Sequence, residues 1–392
     1  MSEARIDSLS NESNTGGPTL SGITTFSGTN YFVPPVGSTL ERPQNPQKGA
    51  LRFNTDTYHL EYYRGDTIGW TDIEASHGQL GGSNTSLGTP ESAGSNAGVG
   101  ARGLFCGGYS PGDVKLIDFC TISTLGNCQT FGELTVQRRP NNGGASDRTR
   151  GVCIGGRNPV GGFNAGTMVD YVTIASTGDA LDFGTCSACQ NAAVVTSSTR
   201  GIRIGGDDLT MEYVTIQSTG TKSDFGDMND TNSKTMNSGC QSPTRGVFMG
   251  GYTNPSPGND TNTIQYITMA STGDSKDFGD LTVKRRGGGS AGNATRALHA
   301  AGRRVPASLT SNITDYITIP TTGNATDFGD MVHSSSNNNG TSSPTRAIFR
   351  GGYQADDVDV FEIATTGNAV AFGDLTDARM NTAPLSNAHG GL

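Results

Sequence analysis

The side chains best suited to catalysis, histidines above all, are scattered along the chain. The five histidines lie far apart in the 392-residue sequence, and no P-loop, HExxH or serine-nucleophile motif accompanies them. His299 stands at a strand position that is apolar in other copies of an internal repeat, which favours a packed imidazole over a general base. Because no residues form a catalytic pattern, we expect a protein that is not an enzyme.

Aspartates near two glycine pairs are the candidates for a cation site. Asp207 and Asp208 are adjacent, and Asp356, Asp357 and Asp359 form a second group. Carboxylate oxygens are the ligands that Ca²⁺ prefers. Loop carboxylates are also common without a metal, and we favour a solvated loop, with Ca²⁺ binding as the alternative. The sequence predicts no other metal and no cofactor.

The seven cysteines are an odd number, which does not indicate a disulfide framework. Cys186 and Cys189 have CxxC spacing, but the sequence offers no second pair and no nearby histidine to complete a zinc site. Most of the other cysteines stand at apolar or repeat positions, where cysteine packs as a small hydrophobic residue. We therefore expect buried thiols rather than a zinc or redox centre.

Most of these residues belong to a repeat that occurs six times. Each copy opens with an arginine, at intervals of 45 to 51 residues. An apolar run ending in a glycine pair follows, then an alternating segment, a tight turn such as Ser-Thr-Gly-Asp, and an Asp-Phe-Gly segment. Alternation of β-forming residues predicts strands, and the turn predicts a hairpin. The opening residues are Arg102, Arg150, Arg200, Arg245, Arg296 and Arg346.

A fourth strand, poor in large side chains, fits between each Asp-Phe-Gly and the next arginine. Four antiparallel strands repeated six times predict an all-β fold, a six-bladed β-propeller over residues 101–392. In that fold the repeated arginines would bond main-chain carbonyls of their own or the next blade. The repeated phenylalanines would pack between blades rather than stack on a ligand, and they are Phe131, Phe183, Phe225, Phe278, Phe328 and Phe372.

The C-terminal residues predict how such a fold closes. The sequence that follows Phe372 matches the segments that precede the later arginines, whereas the residues before Arg102 match them less well. We therefore expect the segment 379–388 to complete the blade that begins at Arg102.

The repeat resembles the kelch repeat in its apolar run ending Gly-Gly, its tyrosine-containing second strand and an aromatic residue about a dozen residues later. Phenylalanine stands where a kelch blade usually carries tryptophan, and Ala301-Gly302 replaces one glycine pair. The resemblance covers roughly residues 95–392 and implies a kelch-like β-propeller. The repeats are also similar to those in virion proteins of marine cyanobacterial phages.

Residues 42–75 contain short apolar segments around an Asn-Thr-Asp-Thr turn and predict a small β module, too short to be stable without help. The run GALRFNTDTYHLEYYRG followed by tryptophan resembles a module of fibre-type structural proteins in tailed bacteriophages. The resemblance implies attachment or subunit contacts, in an oligomer that is often trimeric. The residues that would make them are Leu51, Phe53, Leu60, Tyr63 and Trp70.

Residues 1–41 predict an extended arm, and residues 76–100 predict a flexible Gly/Ser linker. The arm carries too many apolar residues for a simple tether, and they are Ile6, Leu9, Leu20, Ile23, Phe26, Tyr31 and Phe32. We expect it to become ordered against other virion proteins.

The net charge of -9 argues against non-specific nucleic-acid binding. The sequence contains no run of eighteen apolar residues, which a membrane-spanning helix would require. The resemblances imply a virion protein assembled in the cytoplasm of a bacterial host. It would be a tail fibre or tail-associated protein whose propeller recognises a host-surface glycan or a virion protein. A capsid decoration or connector protein with an architectural propeller is the alternative. A glycan-degrading enzyme is disfavoured because matched copies carry no paired carboxylates.

Overall fold

A computed structural model describes residues 34–56, 59–66, 69–72, 101–158, 164–206, 208–230, 234–235, 237–253, 259–304, 309–350, 352 and 355–392. These residues form strands, turns and one 3₁₀ turn, Thr39–Glu41, without an α-helix, so the all-β prediction is confirmed. No helix in these ranges is long and apolar enough to cross a membrane. The described residues fall into two compact units, 34–72 and 101–392. Phe26, Tyr31 and Phe32 of the predicted arm lie outside them, as does the whole predicted linker, residues 76–100.

The smaller unit is one four-stranded sheet. Its strands in spatial order are Val36–Gly37, Leu51–Asn54, His59–Tyr63 and Trp70–Asp72. The first pair is parallel and the other pairs are antiparallel. Val36–Gly37 belongs to the segment that the sequence analysis assigned to the arm, and here it pairs with Phe53 and Asn54.

The larger unit contains six sheets built on the same plan, one for each repeat, which we number 1 to 6 along the chain. In each sheet the strand that begins at the repeated arginine lies between two antiparallel neighbours. One neighbour is the alternating second strand, which pairs in turn with the Asp-Phe-Gly strand. The other comes from the residues just before the arginine, and we name it the leading strand.

In spatial order, the strands of sheet 1 are Ala383–Ser386, Arg102–Ser110, Gly112–Thr121 and Gln129–Glu133. Those of sheet 2 are Gly144–Ser146, Arg150–Ile154, Asn164–Thr173 and Leu181–Cys189. Those of sheet 3 are Ala193–Thr196, Arg200–Ile204, Thr210–Thr215 and Ser223–Asp227. The strands of sheet 4 are Ser238–Gln241, Arg245–Met249, Thr263–Thr268 and Lys276–Asp280. Those of sheet 5 are Gly289–Gly292, Arg296–Arg304, Leu309–Thr318 and Thr326–Ser335. Those of sheet 6 are Asn339–Ser342, Arg346–Arg350, Asp357–Glu362 and Val370–Asp374. Short strands Arg157–Asn158 and Gly220–Thr221 extend sheet 2, and Lys234–Thr235 pairs with Tyr252–Thr253.

The C-terminal segment supplies the leading strand of sheet 1, as the sequence predicted. Ala383 pairs with Cys106, and Ser386 pairs with Gly103. The leading strands of consecutive sheets contact one another, and the series returns from sheet 6 through sheet 1 to sheet 2. Glycine permits this approach, since a Cβ on Gly144 would lie 2.0 Å from the carbonyl oxygen of Pro384.

Apolar cores lie between neighbouring sheets. Phe131 of sheet 1, for example, is buried with Val172 and Ile174 of sheet 2. Each of the six repeated phenylalanines lies in a different cluster. In sheets 1 to 5 the ring also meets an aromatic ring of the second strand edge to face, at 5.6 to 6.2 Å between centroids.

Candidate binding sites

The six repeated arginines connect each sheet to the next. Arg102 lies over the ring of Phe119 in its own sheet, and its Nη1 donates to the carbonyl oxygens of Ile174 and Ala175, 2.9 and 2.8 Å away. Arg346 of sheet 6 makes the same contact with Ser123 of sheet 1, at 2.9 Å. The other four also donate to carbonyls of the following sheet. Nη1 of each arginine is therefore directed to main-chain carbonyls, and Nε of Arg346 also donates to the carboxylate of Glu362 at 2.7 Å.

A buried carboxylate on the second strand accepts hydrogen bonds from the preceding sheet at three interfaces. Asp170 accepts the N–H and hydroxyl of Thr135 at 3.2 and 2.7 Å, and Nη1 of Arg138 at 2.6 Å. Asp315 has the same arrangement with Thr282 and Arg285, and Asp118 has it with Thr376 and Arg379. All three arginine side chains are fully buried. The sequence analysis did not identify these pairs, although the recurring Leu-Thr-x-x-Arg spacing was a usable signal for the arginines.

Two further interfaces use other polar residues at the same strand position. Glu212 accepts the hydroxyl of Ser187 at 2.6 Å and lies 3.5 Å from Nη2 of Arg203. Gln265 donates to Asp230 at 2.8 Å and accepts the hydroxyl of Ser275 at 2.7 Å. Hydrogen-bonding partners therefore satisfy the second-strand polar group at both interfaces.

Asp359 occupies this position in sheet 6 but, among the described residues, lacks the side-chain donors that the equivalent carboxylates have. Its carboxylate accepts the N–H of Val332 at 3.1 Å, which is its one hydrogen bond among the described residues. It borders a cavity of about 240 Å³, which we name the Asp359 cavity. Burial raises the pKa of Asp359 to about 6. The lining includes Met331, His333, Ser335, Gly352, Asp357 and Asp359.

The candidate Ca²⁺ ligands do not form one group. Carboxylate oxygens of Asp356, Asp357 and Asp374 lie within 4.8 Å of one another. Asp359 is not part of that cluster, and its buried carboxylate accepts the N–H of Val332 in sheet 5. Asp356 is exposed, and Asp208 pairs with Arg203 at 3.2 Å, while Asp207 lies outside the described residues.

The loops that follow the glycine pairs are described mainly at their bases. Arg139 lies over the ring of Tyr109 at 3.7 Å and pairs with Asp113. Arg286 repeats this contact with Tyr252 at 4.8 Å and with Asp260 at 3.2 Å. The loop residues 159–163, 254–258, 305–308 and 353–354 lie outside the described part of the chain.

The attachment residues predicted in the smaller unit divide between its interior and its surface. Tyr63 is buried, and its ring lies 5.4 Å from that of Trp70. Phe53 and Leu60 are half-buried, whereas Leu51 is 40% exposed. Val36 and Leu40, which the sequence analysis did not single out, are 56% and 96% exposed.

A charged network fills the interior of the same small unit. Glu61 is fully buried and contacts Arg52 at 3.1 Å, Nε of Arg42 at 3.2 Å and Nδ2 of Asn54 at 3.2 Å. The desolvation of buried charges offsets much of their mutual attraction, so this network is weak evidence for stability.

His389 lies where all six leading strands meet. It helps to line a cavity of about 40 Å³ bounded by residues of every leading strand. Its Nε2 lies 2.6 Å from the carbonyl oxygen of Ser146, and its Nδ1 lies 3.1 Å from Nε2 of Gln241. A neutral ring that donates from Nε2 and accepts at Nδ1 satisfies both contacts. Burial lowers the pKa of His389 to about 4.

His299 and the cysteines, which were also considered for catalysis or metal binding, are packed. His299 is buried between the hydroxyls of Ser238 and Ser290, each 3.0 Å from its Nδ1. All seven cysteines are free and buried, including Cys186 and Cys189. Burial raises the pKa of Cys240 to about 12.

Comparison with models of known protein families and with curated proteins found no match to this chain.

Proposed function

We propose that residues 101–392 form a closed, six-bladed, kelch-like β-propeller in which each sheet is a blade. The supporting observation is that the last repeat continues into the first. The C-terminal strand completes the sheet of Arg102, and Arg346 bonds Ser123 in that sheet. Contacts between leading strands also return to their starting point.

We propose that the protein is a non-enzymatic virion protein, a tail fibre or tail-associated protein anchored by its N-terminal region. The observation that carries the proposal is the small unit, whose sequence resembles phage fibre modules. It exposes Val36, Leu40 and Leu51 around a core rich in buried charge. Such a unit gains stability by burying those side chains in a homo-oligomer, for which we favour a trimer, or against other virion proteins.

The propeller would then recognise a host-surface glycan or a neighbouring virion protein through the loops after the glycine pairs. Variable loops on a rigid scaffold are a common place for recognition. The repeated arginines and most second-strand carboxylates are engaged in contacts between sheets. This engagement also supports the alternative of a capsid decoration or connector protein, whose propeller is purely architectural.

Light scattering of the full-length protein tests the anchoring role. We expect a trimer, and we expect the double variant Leu40→Glu/Leu51→Glu to shift towards monomer because charges replace exposed apolar contacts. Leu181→Glu is the matched control, since Leu181 is 59% exposed in the larger unit. A monomeric wild-type protein that also fails to join virions would contradict the proposal.

Adsorption separates the two roles of the propeller. Labelled full-length protein is mixed with host cells and with particles that lack it. Binding to cells supports a tail-fibre role, whereas incorporation into particles without binding to cells supports the decoration or connector role.

A further inference from the structure

The interface between sheets 5 and 6 differs from the three that contain a buried Asp–Arg pair. At those three interfaces a Gly-Asp or Gly-Glu dipeptide is followed by Leu-Thr-x-x-Arg. The threonine donates a hydrogen bond to the carboxylate of the next sheet, and the arginine forms an ion pair with it. In sheet 5 the corresponding run is Gly329 to Ser335, with Val332 at the threonine position and Ser335 at the arginine position. Two side-chain donors are therefore replaced by residues that do not reach the carboxylate.

Asp359 retains the main-chain part of the arrangement. Its Oδ2 accepts the N–H of Val332 at 3.1 Å, the distance found for Asp118 with Thr376 and for Asp315 with Thr282. The carboxylate is thus held in the orientation that elsewhere receives a guanidinium. Asp359 is only 3% exposed and pairs with no arginine among the described residues, and a buried carboxylate without such a partner is costly.

The Asp359 cavity lies at this interface and is lined by residues of both sheets. Ser335, at the arginine position, lines it, and its buried Oγ has no hydrogen-bond partner among the described residues. Met331 supplies an apolar wall. His333 and Asp357 also border the cavity, with side chains 65% and 45% exposed, so it is reachable from solvent.

We propose that the Asp359 cavity binds the guanidinium group of a small ligand, which takes the place of the arginine present at the equivalent interfaces. The planar N–H fork of a guanidinium matches a carboxylate. Ser335 Oγ is a further acceptor at the same site, and Met331 can pack against a short alkyl stem. The ligand class is an alkylguanidinium.

Divalent metal binding fits the cavity less well. Ca²⁺ takes six to eight oxygen ligands, whereas the described lining offers carboxylates only from Asp357 and Asp359. The separate group of Asp356, Asp357 and Asp374 is an acidic cluster and does not include the buried carboxylate. Calcium therefore enters the test as a competing outcome.

Isothermal titration of the full-length protein with ethylguanidinium chloride tests this site. We expect saturable binding of one equivalent, and none with tetramethylammonium, which has the same charge but no N–H donor. Asp359→Asn should weaken binding by at least about tenfold, because a charge-assisted hydrogen bond is lost. Ser335→Arg should abolish binding by supplying the guanidinium in cis.

Asp224→Asn is the matched control, because it removes an exposed carboxylate of sheet 3 and should leave binding unchanged. Circular dichroism checks that each variant is folded, and Asp359→Asn is expected to fold because it removes a buried charge. The proposal is overturned if ethylguanidinium does not bind the wild type, or if it binds Asp359→Asn equally well. It is also overturned if Ca²⁺, but not ethylguanidinium, binds in an Asp359-dependent way.

Discussion

At the scale of single residues, the repeats act as internal controls for one another. Asp170, Asp315 and Asp359 stand at equivalent positions, and the first two meet a buried arginine that the third lacks. Breaking such a buried pair typically costs about 3–5 kcal/mol because it leaves an uncompensated charge. The carboxylate at Asp359 is therefore better explained by a ligand than by a contribution to stability.

Protonation of His389 provides a pH-dependent test of the packing around the leading strands. Burial lowers its pKa from an ordinary 6.5 to about 4, so the folded protein favours the neutral ring. The contribution of the neutral His389 ring to the stability of the folded protein is complete above pH 6.5 and is lost as the pH falls from 6.5 to 4. From that difference we expect a loss of about 3 kcal/mol in the free energy of unfolding over this interval.

Denaturant unfolding of the wild type and His389→Ala at several pH values measures this effect. The variant should be less stable than the wild type at pH 7.5, because the contacts with Ser146 and Gln241 are gone. Its stability should then fall less steeply between pH 6.5 and 4. His333→Ala is the control, since His333 is exposed. Parallel pH profiles for the wild type and His389→Ala would contradict the assignment.

At the scale of elements, the C-terminal strand joins the two ends of the repeat series. Leu385 of that strand is buried in the core formed with Leu104 and Val172. Leu385→Ala should lower the free energy of unfolding of the larger unit by about 2–5 kcal/mol, because it leaves a cavity between sheets 1 and 2.

The control is Leu181→Ala, which changes a side chain that is 59% exposed and should cost less than about 0.5 kcal/mol. Thermal unfolding followed by circular dichroism compares the two variants. Equal Tm values for Leu385→Ala and the wild type would show that the strand contributes little to stability.

The sequence predicted the strands better than the contacts between them. Period-two alternation and the Ser-Thr-Gly turn identify a hairpin locally, so the elements of each repeat follow from short stretches of sequence. The pairing of Arg285 with Asp315 joins residues from different repeats. The local Leu-Thr-x-x-Arg spacing marks the arginine, but no local pattern identifies its partner. His389 was similarly missed because its partners, Ser146 and Gln241, lie far away in the chain.

Single-residue departures from the repeat have different consequences. Ala301 replaces the first glycine of a pair and adopts a φ of 60°, an unusual conformation for a residue with a Cβ. The strand pairing of sheet 5 is nevertheless retained on both sides of Ala301, with an irregularity at that point. Replacement of arginine by Ser335 leaves a cavity beside a buried carboxylate. The sequence alone shows both replacements but not which of them opens a site.

At the largest scale, that of the unit of six sheets, the order of contacts between sheets supports the proposed closed ring over an open stack. Each repeated arginine bonds the following sheet, and the arginine of sheet 6 bonds sheet 1. An open solenoid has two free ends and no reason to bring its first and last sheets together. A closed ring and an open stack of six sheets also differ in their radius of gyration.

Small-angle X-ray scattering from the fragment 101–392 distinguishes these arrangements. A compact domain of this length has a radius of gyration of about 19 Å, whereas six sheets stacked in a line about 10 Å apart form a longer particle. We expect the compact value and a single-peaked distance distribution for the intact fragment. Deleting residues 375–392 removes the strand that completes sheet 1, so the radius should increase. An elongated intact fragment, or a truncated one with an unchanged radius, would contradict closure by this strand.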